Sequence, residues 1–251
     1  MLSPSQIESY RSQGYLVLEG LVDRECLSRC DERFLEYANE SREPVDGMKL
    51  MKDVMVAKGV VKPQSSVHAI NKLLSFENDE VLMSYVHNSA MLDAARSLIG
   101  KDLYSIVTNV FNKPPEVDGR HPLHQDLRYF RIRPPEGIVA VWTAISSTSR
   151  ANGCLAVIPE SHRLGLLEHE IPDWEYVNFK FYGISKTLSS QPVHIEMNPG
   201  DTIFFHPLLV HGSGRNRTSD FRRTISAHYA SAACESPPPD WRDNEFVVQI
   251  S

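Results

Sequence analysis

The sequence has few cysteines, and their spacing excludes the usual roles of clustered thiols. The 251 residues contain four of them, Cys26, Cys30, Cys154 and Cys234. No pair has the spacing of a zinc finger or a CxxC motif, so the pattern indicates neither a structural zinc site nor a redox dithiol. A chain of this length buries enough apolar surface to fold without such cross-links. We therefore expect free thiols and a reducing compartment.

Long apolar runs and an excess of positive charge are also absent. No apolar stretch approaches the roughly 20 residues of a membrane span, and the first residues lack the basic and apolar segments of a signal peptide. The last residues, Val-Gln-Ile-Ser, differ from a Ser-Lys-Leu peroxisomal address. The formal net charge of −6 argues against sequence-independent binding of nucleic acid. These absences predict an intracellular protein of the cytoplasm or peroxisome, without nucleic acid or membrane partners. The oligomeric state stays open, with a monomer favoured.

The first 100 residues have mostly helical patterns. A helix is predicted from a Ser3 cap to Gly14, because a hydroxyl cap, a proline and Gln6 form a start signal. The other elements predicted here are a strand at 15–18, a helix from Asp23 to about residue 38, a loop or lid at 43–64 and a helix at 89–98 that Gly100 ends.

After residue 100 the pattern changes to short β-like runs separated by turn residues. The runs are 104–111, 138–145, 154–158, 193–197, 202–205 and 224–229. Many short strands with this punctuation favour a sandwich or a barrel. We predict one domain over 1–251, with a helical N-terminal part at 1–100, a β-rich core at about 101–235, and an extended linker where three prolines follow Ser236.

Two histidines and an aspartate form the first chemical pattern. In an extended strand, residues i and i+2 point to the same face, so His124 and Asp126 can reach one metal ion together. His211 follows a later apolar run and can complete a two-histidine, one-carboxylate set, which suits non-haem iron(II). The HExxH zinc pattern places both histidines on one helix, which differs from this β context. A lone HxD arises easily by chance, and His121 competes with His124 but has no carboxylate two residues on.

Arg222 is the second chemical signal. A dicarboxylate co-substrate needs a fixed cation for its far carboxylate, and arginine provides a planar fork of donors. Along 222–229, one face carries Arg222, Thr224, Ser226 and His228, and the other carries Ile225 and Tyr229. Either the polar face surrounds a charged ligand inside a barrel, or it faces solvent while the apolar face forms the core. The pattern alone leaves both open.

Several stretches together resemble the phytanoyl-CoA dioxygenase family. They are HPLHQDLRYFRIR (121–133), VWTA (141–144), NGCL (152–155) and FFHPLLVHGSG (204–214), followed by Phe221-Arg222. The resemblance extends over about residues 3–234 and is densest from Asn112 onward. It implies a mainly β fold with a helical N-terminal layer, the double-stranded β-helix, which is a jelly-roll or cupin-like barrel.

The same resemblance implies roles for individual residues. The implied iron ligands are His124, Asp126 and His211, with Arg222 binding the distal carboxylate of 2-oxoglutarate. The other implied co-substrate residues are Gln125, Trp142, Ser213, Lys72 and Asn109. One turn departs from the family pattern, because Pro159-Glu160-Ser161-His162 stands where the family has Pro-Gly-Ser-His. That departure puts the geometry of the turn in question.

The implied reaction is an oxidation that uses Fe(II), 2-oxoglutarate and O2, with ascorbate as a further candidate cofactor. It releases succinate and CO2. Asp126 favours hydroxylation over halogenation, because iron halogenases need a small residue at that position to leave room for halide.

The resemblance also implies a substrate, a branched fatty acyl-CoA hydroxylated at C2, as in fatty acid α-oxidation. The basic run of Arg120, Arg128, Arg131 and Arg133 could meet the phosphates of CoA, or it could be a solvated rim. Two other functions stay open: an oxygenase for a small non-CoA metabolite, and a non-catalytic metal-binding β-barrel. Arg222 argues against the last, since a scaffold has no need of that clamp.

Overall fold

The computed structural model describes residues 1–250. The α-helices are α1 (Pro4–Gln13), α2 (Arg24–Ala38), α3 (Val54–Ala57), α4 (Ser66–Ala69), α5 (Glu80–Val86) and α6 (Ser89–Ile99). The strands are β1 (Tyr15–Leu18), β2 (Lys49–Lys52), β3 (Ile70–Leu74), β4 (Leu103–Lys113), β5 (His121–His124), β6 (Ile138–Ala144), β7 (Leu155–Val157), β8 (His169–Glu170), β9 (Gly183–Ile184), β10 (Val193–Ile195), β11 (Thr202–Phe205), β12 (His211–Ser213), β13 (Arg222–Ser231) and β14 (Val248–Ile250). Every helix in this range falls short of the length and apolar character that a bilayer crossing needs.

The predicted helix boundaries rest on capping chemistry that the structure confirms. The Ser3 hydroxyl accepts from the Gln6 amide while the Gln6 side chain accepts from the Ser3 amide, which completes a capping box. Gly14 ends α1 in the left-handed conformation at φ 83°. Asp23 caps α2 by accepting from the Cys26 amide at 2.8 Å, and Gly100 ends α6.

Two antiparallel sheets make up the β core. The large sheet has the order β1-β11-β6-β13-β4-β3-β2, and β14 also pairs with β4. The smaller sheet has the order β10-β7-β12-β5, and β8 pairs with β9 as a separate ribbon. Crossovers between distant strands within each sheet give the double-stranded β-helix, so the predicted fold class is confirmed.

Strand β6 shows how one sheet supports two cores. All seven of its residues are buried. Successive side chains point to opposite faces of a strand, so Ala140 and Trp142 pack toward the smaller sheet, in a cluster with Leu155 and Val157. The intervening valines pack on the other face against the helical layer. That second cluster includes Phe34, Tyr85, Met91, Val139, Val141, Ile225 and Tyr229.

The segment 43–64, predicted as a loop or lid, contains regular structure. Strand β2 lies within it and pairs with β3, and the short helix α3 follows with an Asp53 cap. The loop prediction was wrong here because β2 is a four-residue edge strand with exposed ends, too short to carry a period-2 pattern. The first 100 residues thus add strands to the large sheet as well as helices.

The turn that departs from the family pattern has a conformation that glycine favours. Glu160 adopts φ 64° and ψ −3°, in the left-handed region. Its amide donates to the Gln13 carbonyl at 2.9 Å, which ties the turn to the end of α1. The substitution therefore keeps a glycine-like turn, at the cost of backbone strain in a residue with a Cβ.

Candidate metal and co-substrate site

The three predicted ligands come together at the edge of the smaller sheet. His124 ends β5 and His211 begins β12, and these two residues are direct partners across the antiparallel pair. Asp126 starts a 3-10 turn after Gln125, whose extended backbone at φ −123° and ψ 129° keeps both ligands on one side. All three are buried, and one donor atom from each lies within 4.8 Å of the others.

Backbone carbonyls set the orientation of both histidines. The Nδ1 atom of His124 donates to the Pro122 carbonyl at 2.8 Å, and Nδ1 of His211 donates to the Leu209 carbonyl at 2.9 Å. A carbonyl only accepts, so each Nδ1 carries the proton and each Nε2 presents a lone pair. The Nε2 atoms lie 3.3 Å and 3.6 Å from Oδ1 of Asp126. This arrangement is the one that metal-binding imidazoles require.

The protonation states also suit a cation. Burial lowers the pKa of His211 to about 4, so this imidazole is neutral at physiological pH. Burial alone would raise the pKa of the Asp126 carboxyl, but the histidines around it hold that pKa well below its usual range. Two imidazole nitrogens and one carboxylate oxygen on one side of an octahedral ion leave the remaining positions for co-substrate and oxygen.

His228 is a contact of the metal site that the sequence analysis placed on the polar face of β13 without giving it a role. Its Nε2 donates to Oδ2 of Asp126 at 2.8 Å. That bond engages the second carboxylate oxygen and leaves Oδ1 turned to the two ligand histidines. The sequence does give one indication of this position, because His228 and Arg222 are separated by an even number of positions and therefore share one face of the strand.

Arg222 lies in the same cavity, and its charge has no counter-ion. The side chain is buried at 2% exposure, and its two terminal nitrogens donate to the Thr224 hydroxyl at 3.0 Å and the Gly153 carbonyl at 3.1 Å. Its Nε is buried without a partner, and within residues 1–250 no carboxylate lies in ion-pair range of it. Burial lowers the pKa of the guanidinium to about 9, so it stays charged at neutral pH.

A second buried cation stands next to Arg222. Lys113 is its direct partner across β13 and β4, and the Lys113 ammonium donates to the carbonyls of Gly119 and Gly214. Burial and then the charge of Arg222 lower the pKa of Lys113 well below its ordinary value. Two positive charges opposite each other repel, so an anion bound beside this pair would favour the protonated form of Lys113. Lys113 was not predicted from the sequence.

The other side chains of β13 decide between the two alternatives for its polar face. Arg222, Ser226 and His228 line a cavity of about 500 Å³ that also contains the three metal-ligand candidates. The opposite face, with Ile225 and Tyr229, packs against the helical layer. Both faces are therefore buried, and the polar one surrounds the candidate site.

Four of the five further co-substrate residues line this cavity: Lys72, Asn109, Trp142 and Ser213. Burial lowers the pKa of Lys72 to about 8. The Trp142 ring stands 5.5 Å from the Arg222 guanidinium carbon. Asn109 is buried and its Oδ1 has no partner. The four are thus placed where a charged co-substrate would bind.

Gln125 corrects the prediction. Its side chain turns away from the cavity because it lies between two residues that face inward. The amide nitrogen donates to the carbonyls of Gly165 and Leu208, and the amide oxygen accepts from the Leu167 amide at 2.8 Å. Gln125 therefore holds neighbouring loops in place and does not contact the cavity.

The basic run lies outside the cavity walls. Arg120 is paired with Asp118 and stacks on the Trp174 ring at 4.1 Å. Arg128 lies over the Tyr182 ring at 5.1 Å. Arg133 donates to nearby backbone carbonyls, and Arg131 is exposed. Only the Arg120 charge is neutralised by a carboxylate, but none of the four lines the cavity.

The donor set fits iron(II), and the unpaired buried arginine fits a dicarboxylate, so fold and site define a 2-oxoglutarate-dependent non-haem iron enzyme. A solved structure with the same fold is the epimerase SnoN in complex with Fe3+, alpha ketoglutarate and nogalamycin RO. It has a TM-score of 0.68 and 19% identity, covering 93% of this chain and 85% of that chain.

Sequence comparison then identifies the family. Residues 10–224 match the family model described as phytanoyl-CoA dioxygenase (PhyH). A probable phytanoyl-CoA dioxygenase of Caenorhabditis elegans is 42% identical over 239 residues, covering 92% of this chain and 76% of the relative. The peroxisomal phytanoyl-CoA dioxygenase of Homo sapiens is 39% identical, covering 93% and 70%. The chain belongs to the phytanoyl-CoA dioxygenase family.

Proposed function

We propose that this protein is an Fe(II)- and 2-oxoglutarate-dependent hydroxylase that acts at C2 of a branched fatty acyl-CoA. One oxygen atom of O2 enters succinate as 2-oxoglutarate loses CO2, and the other enters the substrate as a hydroxyl group. The observation that supports this most is the buried, unpaired Arg222 in one cavity with the two histidines and the aspartate. The acyl-CoA part rests on the names of the relatives.

The residues of the chain have distinct parts in this proposal. His124, Asp126 and His211 hold the iron, which supplies the activation of oxygen when bound. Arg222 fixes the far carboxylate of 2-oxoglutarate, and Lys113 lies beside it across the strand pair. The buried cavity excludes water from the reacting atoms, so the protein contributes mainly position and surroundings. Asp126 fills the position that a halogenase leaves for halide, which favours hydroxylation.

The test begins with anaerobic titration of the protein with iron(II) and 2-oxoglutarate. We expect the visible charge-transfer band of a 2-oxo acid chelate. Oxygen is then added with a branched acyl-CoA, the matching free acid, or neither, and succinate and hydroxylated product are measured. Product from acyl-CoA alone supports the proposal. Product from the free acid alone assigns the enzyme to non-CoA metabolites, and metal binding without 2-oxoglutarate consumption assigns it to the non-catalytic class.

Asp126→Ala is the matching variant. We expect it to abolish 2-oxoglutarate turnover, because the ion loses its only anionic protein ligand. The variant is first shown to be folded by circular dichroism. Succinate release at the rate of the unaltered protein would contradict the assignment of the ligands.

Compartment and assembly also belong to this proposal. The relatives from Homo sapiens and Bos taurus are named peroxisomal, and we propose the peroxisome or the cytoplasm for this chain. We propose a monomer. Imaging of a fluorescent fusion and light scattering of the purified protein test these two statements.

A further inference from the structure

The mouth of the cavity is formed by two segments that lie far apart in the chain. One is β2, which contributes Lys49 and Met51 to the cavity wall. The other is the connection between β8 and β9, residues 171–182, which we call the strap; it contributes Phe179, Lys180 and Phe181. Neither segment carries a metal-ligand candidate, so the mouth serves another purpose than holding iron.

A buried hydrogen-bonded contact joins these two segments. The side chain of Asn178 in the strap donates to Oδ2 of Asp53 at 3.1 Å and accepts from the Val54 amide at 2.8 Å. Asp53 is fully buried and Asn178 is 5% exposed. Because Asp53 directly follows β2, this contact fixes the strap relative to the β2 edge, and the mouth is preformed.

The strap is also fixed to the metal side of the cavity. The Tyr129 hydroxyl donates to the Lys180 carbonyl at 3.1 Å and accepts from the Tyr182 amide at 3.3 Å. The Phe181 ring stacks on His121 at 3.8 Å, and His121 stacks on the ligand candidate His124 at 4.0 Å. The position of Lys180 is therefore set by contacts on both sides.

The mouth has two cations whose charge is not neutralised. Lys49 and Lys180 are both exposed, and within residues 1–250 neither has a carboxylate in ion-pair range. Arg120, by contrast, shares the buried Asp118 carboxylate with Arg215. The cavity is lined mainly by apolar side chains, among them Met51, Leu74, Val107, Phe130 and Phe181, with polar ones such as Lys72 and Asn109 beside them.

An apolar cavity with free cations at its entrance matches a ligand that has an apolar tail and an anionic head. We propose that Lys49 and Lys180 bind phosphate groups of the CoA moiety at the mouth while the acyl chain occupies the apolar walls. This inference rests on the proposed function and deepens it. It transfers the CoA contact from the basic run at 120–133 to two lysines on the rim.

The test replaces each lysine by the opposite charge, as Lys49→Glu, Lys180→Glu and the double variant. Lys186→Glu is the matched control, since Lys186 is exposed, lies just beyond β9 and does not line the cavity. The KM for a branched acyl-CoA is compared with the KM for the same acyl group on N-acetylcysteamine, which has no phosphate.

We expect each single variant to raise the KM for acyl-CoA about tenfold and the double variant to raise it further. We expect no change in kcat, in the KM for the N-acetylcysteamine thioester or in the charge-transfer band. Added salt should raise the KM of the unaltered protein, because exposed charges are screened over about 8–10 Å, and the double variant should lose that dependence.

Anaerobic calorimetry with acyl-CoA separates this inference from the proposed function, because it needs no turnover. If acyl-CoA binds more weakly to the lysine variants, the proposed phosphate contacts are supported even when no product forms. If acyl-CoA is turned over but the lysine variants have the same KM as Lys186→Glu, the proposed phosphate contacts are wrong and the proposed function is unaffected. Absence of acyl-CoA binding to the unaltered protein overturns both, and lysine-dependent binding to anionic vesicles with unchanged KM assigns the mouth to a lipid surface.

Discussion

The cavity has two contrasting regions. Its floor, formed by the three metal-ligand candidates with Arg222 and His228, is carried largely by paired strands, whereas the two segments of its mouth are joined to each other through a few side chains. Arg222 and His228 lie on β13, which pairs with β4 on one side and β6 on the other. The strap has only a two-residue strand at each end and depends on contacts such as Asn178 with Asp53. Changes at the floor should therefore affect binding of the co-substrate and metal, and changes at the mouth should affect the substrate and local stability.

The sharpest test of the floor is Arg222→Leu. Removing one partner of a buried charge pair costs about 2–5 kcal/mol, so we expect affinity for 2-oxoglutarate to fall by roughly 30-fold or more. The affinity of Arg222→Lys for 2-oxoglutarate should lie between those of the unaltered protein and Arg222→Leu, because lysine keeps the charge and loses the planar fork. The KM for 2-oxoglutarate in succinate release measures this effect.

Arg222→Leu should also raise the free energy of unfolding of the protein when 2-oxoglutarate is absent. Arg222 is buried without a counter-ion, and replacing an uncompensated buried charge by an apolar side chain removes its desolvation cost. Urea unfolding of the apo protein measures the change. A variant that binds 2-oxoglutarate as tightly as the unaltered protein would show that the co-substrate lies elsewhere.

A smaller effect at the floor is expected for His228→Leu. Loss of a hydrogen bond to a ligand carboxylate lowers metal affinity about 10- to 100-fold, because Asp126 can then rotate away from the two histidines. His228→Gln retains a nitrogen donor and should restore much of the affinity. Anaerobic titration with iron(II) measures it without turnover, and equal affinities for both variants would contradict a positioning role.

At the mouth, Asn178→Ala should lower the free energy of unfolding. The substitution leaves a buried carboxylate oxygen of Asp53 and the Val54 amide without a partner, which costs about 1–3 kcal/mol. Hydrogen exchange should speed up at 53–58 and in the strap, with iron and 2-oxoglutarate binding unchanged. The control is Asn78→Ala, which removes an exposed hydrogen bond; a loss of 2-oxoglutarate affinity in Asn178→Ala would erase the contrast between floor and mouth.

The smallest effect lies outside both regions, at the turn after β7. Glu160→Gly should stabilise the protein by about 0.5–1 kcal/mol, because relief of left-handed strain exceeds the entropy cost of glycine. Glu160→Ala keeps the Cβ and should show no gain. Both variants lose the ion pair between Glu160 and Arg163, in which nitrogen and oxygen lie 3.5 Å apart. That pair is exposed and contributes little to stability. Thermal unfolding of the two variants side by side decides the point.

The floor could be predicted from the sequence because its residues fall in short motifs with a local physical reason. His124 and Asp126 share a face through one extended residue, and Arg222 and His228 share a face through strand alternation. Gln125 was assigned to the cavity from its position in the family motif. Its two neighbours in the strand face inward, so its own side chain points away from the cavity. Lys113 was missed because its burial and its partner Arg222 depend on strand pairing.

The sequence by itself determined the helix caps, the class of fold and the set of groups that can hold iron and a dicarboxylate, since each depends on residues close in the chain or on long, specific motifs. Only the tertiary structure decided that both faces of β13 are buried, that Gln125 faces away from the cavity, and that β2 and the strap meet at the mouth. Those outcomes depend on contacts such as Asn178 with Asp53, which are separated by 125 residues. No local pattern in the chain encodes a pairing at that distance.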